Sequence, residues 1–148
     1  MVNTDLHDLR CLANNSQISY SSHAVDQMLS RHIGRATVQA VLSSPTNQLI
    51  ETQSPSTTPG KEHDDERALI SDPTFEDAII IVLVILFYPI PEIRVITVER
   101  VMDHKWEKHI NENPWLVRKV ELPIIYVCVL YSSAPLRAGK YRTLDNLK

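Results

Sequence analysis

The most constraining stretch of this chain is an unbroken apolar run, AIIIVLVILFY, at residues 78–88. It has 11 residues and is closed by Pro89 and Pro91. A helix needs about 20 apolar residues to cross a bilayer, so the run is too short to span one. Its β-branched content and short length specify a strand. The lack of polar alternation requires that strand to be buried on both faces. A second stretch, IRVITV at residues 93–98, is also strongly β in propensity. With residues 89–92 as the turn, the two runs form a hairpin at the centre of a sheet.

The chain ahead of this hairpin reads as largely helical. Residues 4–13 place Leu6, Leu9, Leu12 and Ala13 on one face, with Thr4 as the cap. Residues 17–20 form a short extended segment. Ser22 caps a second helix over residues 23–33, which turns Ala24, Met28 and Leu29 inward. Gly34 follows it as the expected left-handed terminal residue. A third helix over residues 35–42 buries Val38, Val41 and Leu42 and stops at Ser43, Ser44 and Pro45. Strands at residues 49–51 and 67–71 flank a long loop, TQSPSTTPGKEHDDE, and residues 72–77 turn the chain. Beyond the hairpin, residues 103–111 read as a helix with Trp106 and Ile110 at i, i+4. Residues 122–131, LPIIYVCVLY, read as a further strand before a basic tail. The expected class is α+β, with N-terminal helices packed on a small antiparallel sheet. The expected organisation is an N-terminal helix over residues 1–15, an α+β domain over residues 16–107 and an extension over residues 108–148.

Several function classes are excluded by what the chain lacks. Two cysteines make neither a disulfide framework nor a four-cysteine zinc site. Three glycines and no GxGxxG or GxxxxGK[ST] argue against nucleotide-dependent chemistry. No GxSxG elbow is present. His104 and His109 are five apart, off the spacing that puts two ligands on one helix face, and HDDE at residues 63–66 matches no metal loop. No metal and no cofactor is expected. The opening MVNTDLHDLR lacks a basic n-region and an apolar core, so the expectation is a cytoplasmic protein without membrane attachment. Charge is uneven. Residues 1–93 carry 5 Lys/Arg against 12 Asp/Glu, and residues 94–148 carry 10 against 6. A basic half can meet a phosphate-bearing partner.

His23 stands at the first turn of a helix, where the positive end of the macrodipole favours the neutral imidazole. A neutral histidine near pH 7 can act as a general base. Arg31, two turns on, lies on much the same face. Such a pair suits a phosphodiester: one group moves a proton and the other holds charge. The helix-turn-helix shape of residues 22–43 also suggests DNA binding, but it offers only Arg31 and Arg35 and no lysine, too few cations for phosphate contacts.

These residues carry a family resemblance. ISYSSHA at residues 18–24, Met28, Arg31, Ile33, Val38, Val41, Leu42, Pro45, the strand IRVITV and Trp106 resemble the domain-of-unknown-function family 4258 over about residues 16–107. That resemblance implies a RelE-like fold and a toxin-like, metal-independent endoribonuclease of a toxin–antitoxin system. Such an enzyme uses the ribose 2′-hydroxyl as internal nucleophile and supplies a base, an acid and cations. Carried over by position, His23, Arg31 and Arg94 are the catalytic candidates, and Thr97 and Arg100 would hold the phosphate. Arg94 and Arg100 have the same parity and would share one face of a continuous strand. The implied partners are RNA, a cognate antitoxin or a second copy of the chain. The sequence also departs from the pattern: Gln27 stands where the family usually has arginine, Glu99 where an aromatic residue is frequent, and the 52–66 loop is long and acidic. These departures favour an alternative, a degenerate toxin-like domain that binds a partner protein without cutting.

Overall fold

The apolar run becomes the central strand of a five-stranded sheet. In the computed structural model, which describes residues 5–60 and 62–120, the elements are α1 (Leu6–Asn14), β1 (Ile18–Tyr20), α2 (Ser22–Ser30), α3 (Arg35–Ser43), β2 (Gln48–Gln53), β3 (Arg67–Ser71), β4 (Ile79–Leu86), β5 (Glu92–Arg100), β6 (Trp106–Lys108) and β7 (Leu116–Arg118). All belong to one compact unit, Met1–Arg118. The 122–131 strand expected from sequence lies outside the described residues. The sheet order is β1-β5-β4-β3-β2. Four strands are antiparallel, but β1 pairs with β5 in parallel, so the α+β fold has a mixed sheet rather than a wholly antiparallel one. The parallel strand arises because α2 and α3 intervene between β1 and the meander, which lets the chain return alongside β5 in the same direction.

Two-sided burial of β4 explains its composition. Ile79, Ile81 and Leu83 face a core shared with Leu9 and Ala13 of α1, Met28 of α2 and Val38 and Leu42 of α3. Ile80 and Val82 face the opposite side, where they meet Leu69, Trp106, Trp115 and Leu116. The cover on that side is the β6–β7 hairpin. Residues 103–111 therefore do not form the expected helix. Trp106 is drawn onto the sheet as a strand residue, while Ile110, its expected helical partner, is 66% exposed. Arg118 lies 4.5 Å above the Trp106 ring and donates two hydrogen bonds to Glu51 of β2, which ties the hairpin to the sheet. The Arg118 hydrogen bonds, set against a smaller effect of burial, hold the Glu51 carboxyl below its ordinary range.

The helix ends differ from the sequence reading by one or two residues. Asp5, not Thr4, caps α1 by accepting from the His7 N–H. Ser21, not Ser22, caps α2 by accepting from the Ala24 N–H. The left-handed residue after α2 is His32, at φ 57°, while Gly34 adopts an extended φ of −84° as the N-cap of α3. The apolar run also outlasts its strand: β4 ends at Leu86, leaving Phe87 and Tyr88 on the hairpin tip.

A buried carboxylate pins the end of α3 to the end of β3. Asp72 is 1% exposed. It accepts hydrogen bonds from the hydroxyls of Ser44, Thr46 and Thr74 and from the Thr74 N–H. Burial pushes its carboxyl upward, but the combined donors from Ser44, Thr74 and Thr46 outweigh this and leave it below the usual carboxylate range.

Two predictions follow from this packing. Ile80→Ala and Ile81→Ala each lower unfolding free energy by about 2–5 kcal/mol in urea titrations, whereas a strand with one wet face would tolerate one of the two. For Asp72, the depressed folded pKa contributes stability above the unfolded carboxylate value and loses it as pH falls through the folded value. Asp72→Asn is therefore destabilising near pH 7, and its deficit in urea midpoint narrows below about pH 4.

Candidate functional site

The residues singled out by sequence gather around β5, but they do not converge. A β-bulge decides this. In the β4–β5 pairing, Val82 stands opposite Thr97 and Leu83 opposite Val95, so Ile96 has no partner residue. An extra residue reverses the strand's parity beyond it. Before the bulge, Ile93 and Val95 face the helices; after it, Val98 does. Arg100, paired with Ile79 of the same core, lies on the helix side. Arg94 sits on the opposite side beside Ser19. The expectation that Arg94 and Arg100 share a face is thus corrected: it assumed a continuous strand. Thr97, opposite Val82, falls with Arg94 on the second face, and is half-buried.

Each arginine is already engaged. The Arg94 Nε donates to Ser19 Oγ at 2.6 Å, and the Ser19 hydroxyl donates in turn to Glu92. The Arg94 guanidinium also lies 3.5 Å from Glu92. Arg31 is the C-cap of α2, and its guanidinium donates to the Val98 carbonyl. Arg100 donates to the Arg31 carbonyl at 2.7 Å and pairs with Asp77. Arg31 and Arg100 are therefore brought together, as parts of a tie between the end of α2 and the end of β5.

That tie has a clear structural role. β1 pairs with β5 only up to Val95. Beyond it the outer edge of β5 would leave backbone groups open. α2 closes this edge with side chains. Ser21 Oγ donates to the Ile96 carbonyl at 3.1 Å, Gln27 Oε1 accepts from the Val98 N–H at 3.2 Å, and Arg31 takes the Val98 carbonyl. Gln27 thus completes a hydrogen bond that an arginine, having no acceptor, could not make. Ser21 and Gln27 were missed as a pair from sequence because their partners are backbone atoms about 70 residues away, with no periodic signal.

His23 is exposed on the first turn of α2. Among the described residues it makes no side-chain hydrogen bond or ion pair, so nothing there orients its imidazole. No group of three or more His, Cys, Asp or Glu among the described residues is placed to hold a metal ion.

The fold now has its family. A model of the family described as "Domain of unknown function (DUF4258)" matches residues 20–100, more than half of the chain, and the chain belongs to that family. The match runs from the last residue of β1 to the last of β5, and so takes in α2, α3 and the whole meander. α1 and the β6–β7 hairpin lie outside it, although both cover the sheet. No curated protein and no solved structure matches the chain.

If Arg31 closes the β5 edge, its removal is a folding defect. Arg31→Ala should lower unfolding free energy by about 1–3 kcal/mol, because it exposes an unpaired carbonyl. Arg94→Ala, losing a half-exposed pair, should change it by about 1 kcal/mol or less. Urea titrations of the two variants side by side make the comparison.

Proposed function

We propose that this chain is a protein-interaction module on a toxin-like, RelE-like fold, acting in the cytoplasm through binding rather than RNA cleavage. One observation carries the reading: the bulge at Ile96 sends Arg94 and Arg100 to opposite faces, and Arg31, Arg94 and Arg100 are each engaged by groups of the protein itself. A phosphoryl site needs cations that converge and are free to meet the charge that develops. The RelE-like part of the proposal draws support from α2 and α3, which directly precede an antiparallel meander, as the family resemblance implies; α1 and the parallel strand β1 are additional to that pattern. A cognate antitoxin is a partner of the expected kind.

A toxin-like endoribonuclease is the second reading, and one feature favours it. His23 is exposed at a helix start and carries no side-chain partner among the described residues, which suits a group that must exchange protons. In that reading Arg31, Arg94, Thr97 and Arg100 would have to change partners when RNA binds.

Induced expression in a bacterial host separates the two. The module reading expects normal growth and intact total RNA soon after induction, for wild type and His23→Ala alike. Growth arrest with RNA cleavage in the wild type, abolished by His23→Ala, would establish the nuclease and end the module reading.

A further inference from the structure

The tip of the β4–β5 hairpin has the composition of a binding surface. Phe87, Tyr88 and Ile90 are 63%, 89% and 65% exposed, three bulky apolar side chains within four residues. Single exposed apolar residues need no explanation, whereas a cluster of this kind marks a contact site. Phe87 also forms a wall shared by two clefts. One, of about 290 Å³, lies between α1 and the tip, with Leu12, Ile85 and Phe87 as its apolar lining and Asp5 and Asp8 as its acids. The other, of about 180 Å³, lies on the Leu83 side of Phe87 and carries Asp65 and Glu66. No lysine or arginine lines either cleft among the described residues.

An apolar ridge between two acid-lined clefts selects its ligand by charge. We propose that the β4–β5 tip docks a segment of a partner protein in which apolar residues alternate with lysine or arginine. Apolar side chains of that segment would lie against Phe87, Tyr88 and Ile90 and enter the clefts. Its cations would meet Asp5 and Asp8 on one side and Asp65 and Glu66 on the other. An anionic lipid surface is the less suitable occupant, since the same four carboxylates would face its headgroups. The inference rests on the interaction-module reading and gives that module a place and a partner chemistry.

A synthetic peptide of alternating leucine and lysine, about 14 residues long, serves as the probe. Its fluorescence anisotropy is titrated with the full chain. Saturable binding is expected. It should weaken about tenfold or more in the double variant Tyr88→Ser, Ile90→Ser. It should weaken about threefold or more in the double variant Asp5→Asn, Asp8→Asn, where asparagine preserves the α1 cap. Leu29→Ser, which removes a 72% exposed apolar residue from α2, should leave it unchanged. A leucine–glutamate peptide of the same pattern should not bind. Equal binding by the tip variants, or equal binding of the glutamate peptide, overturns the proposal. So does self-association of the chain that Tyr88→Ser abolishes, which would make a second copy the occupant. Sedimentation with phosphatidylserine vesicles that depends on Tyr88 would make it a membrane surface. Loss of probe binding with host RNA intact would sink the tip and leave the module. RNA cleavage would sink the module whatever the probe does.

Discussion

Burial of β4 on both faces is the constraint from which the rest of the structure follows. Eight apolar residues in one strand can avoid water only if the sheet carries a layer above and a layer below. Fully burying each such side chain is worth roughly 1.5–3 kcal/mol, so leaving either face open would forfeit much of the fold's stability. The three helices supply one layer. The β6–β7 hairpin supplies the other, with Trp106, Trp115 and Leu116 against Ile80 and Val82. The residues matched by the family end at Arg100, before this second layer begins. In this chain, then, the second face of the family domain is closed by a segment that the family match does not include.

The bulge at Ile96 is the second constraint, and it acts on function. Without it, Arg94 and Arg100 would sit on one face with the same parity, and a shared phosphate site would be geometrically natural. With it, Val98 is turned toward the helices and its backbone edge toward α2, where Gln27 and Arg31 close it. The same device that fits the strand to the helix layer thus separates the cations. Bulges often re-aim side chains at the rim of a sheet. Here the re-aimed group is Arg100, which holds the end of α2 through the Arg31 carbonyl.

Much of the fold was legible because it rests on local signals. The two-sided strand, the hairpin after it, the three N-terminal helices and the β3 strand each follow from periodicity, propensity or a capping residue. Three features were not legible. The parallel pairing of β1 with β5 joins Ile18 to Ile93, across most of the domain, and nothing local encodes it. The β6 strand is imposed by burial of Trp106 against the sheet, which overrides an i, i+4 pattern that would suit a helix. The bulge depends on how β5 must meet both β4 and α2. The candidate site inherits these gaps: the faces on which its residues lie could not be known before the register was.

The charge asymmetry of the sequence takes on a different meaning once the pairs are seen. The second half of the chain is basic in sum, yet its described cations other than Lys119 are met at close range by carboxylates. Arg94 pairs with Glu92, Arg100 with Asp77, Lys105 with Glu99, Lys108 with Asp103 and Arg118 with Glu51. These pairs draw on acids of both halves, and the field they project is weak beyond a Debye length of about 8 Å. Asp5, Asp8, Asp65 and Glu66, by contrast, enter no ion pair among the described residues, and they stand beside the apolar tip. Uncompensated carboxylates and exposed apolar area thus coincide at the hairpin tip. A partner guided by electrostatics would be drawn there as a cation, which is the opposite of what an RNA-cleaving surface requires.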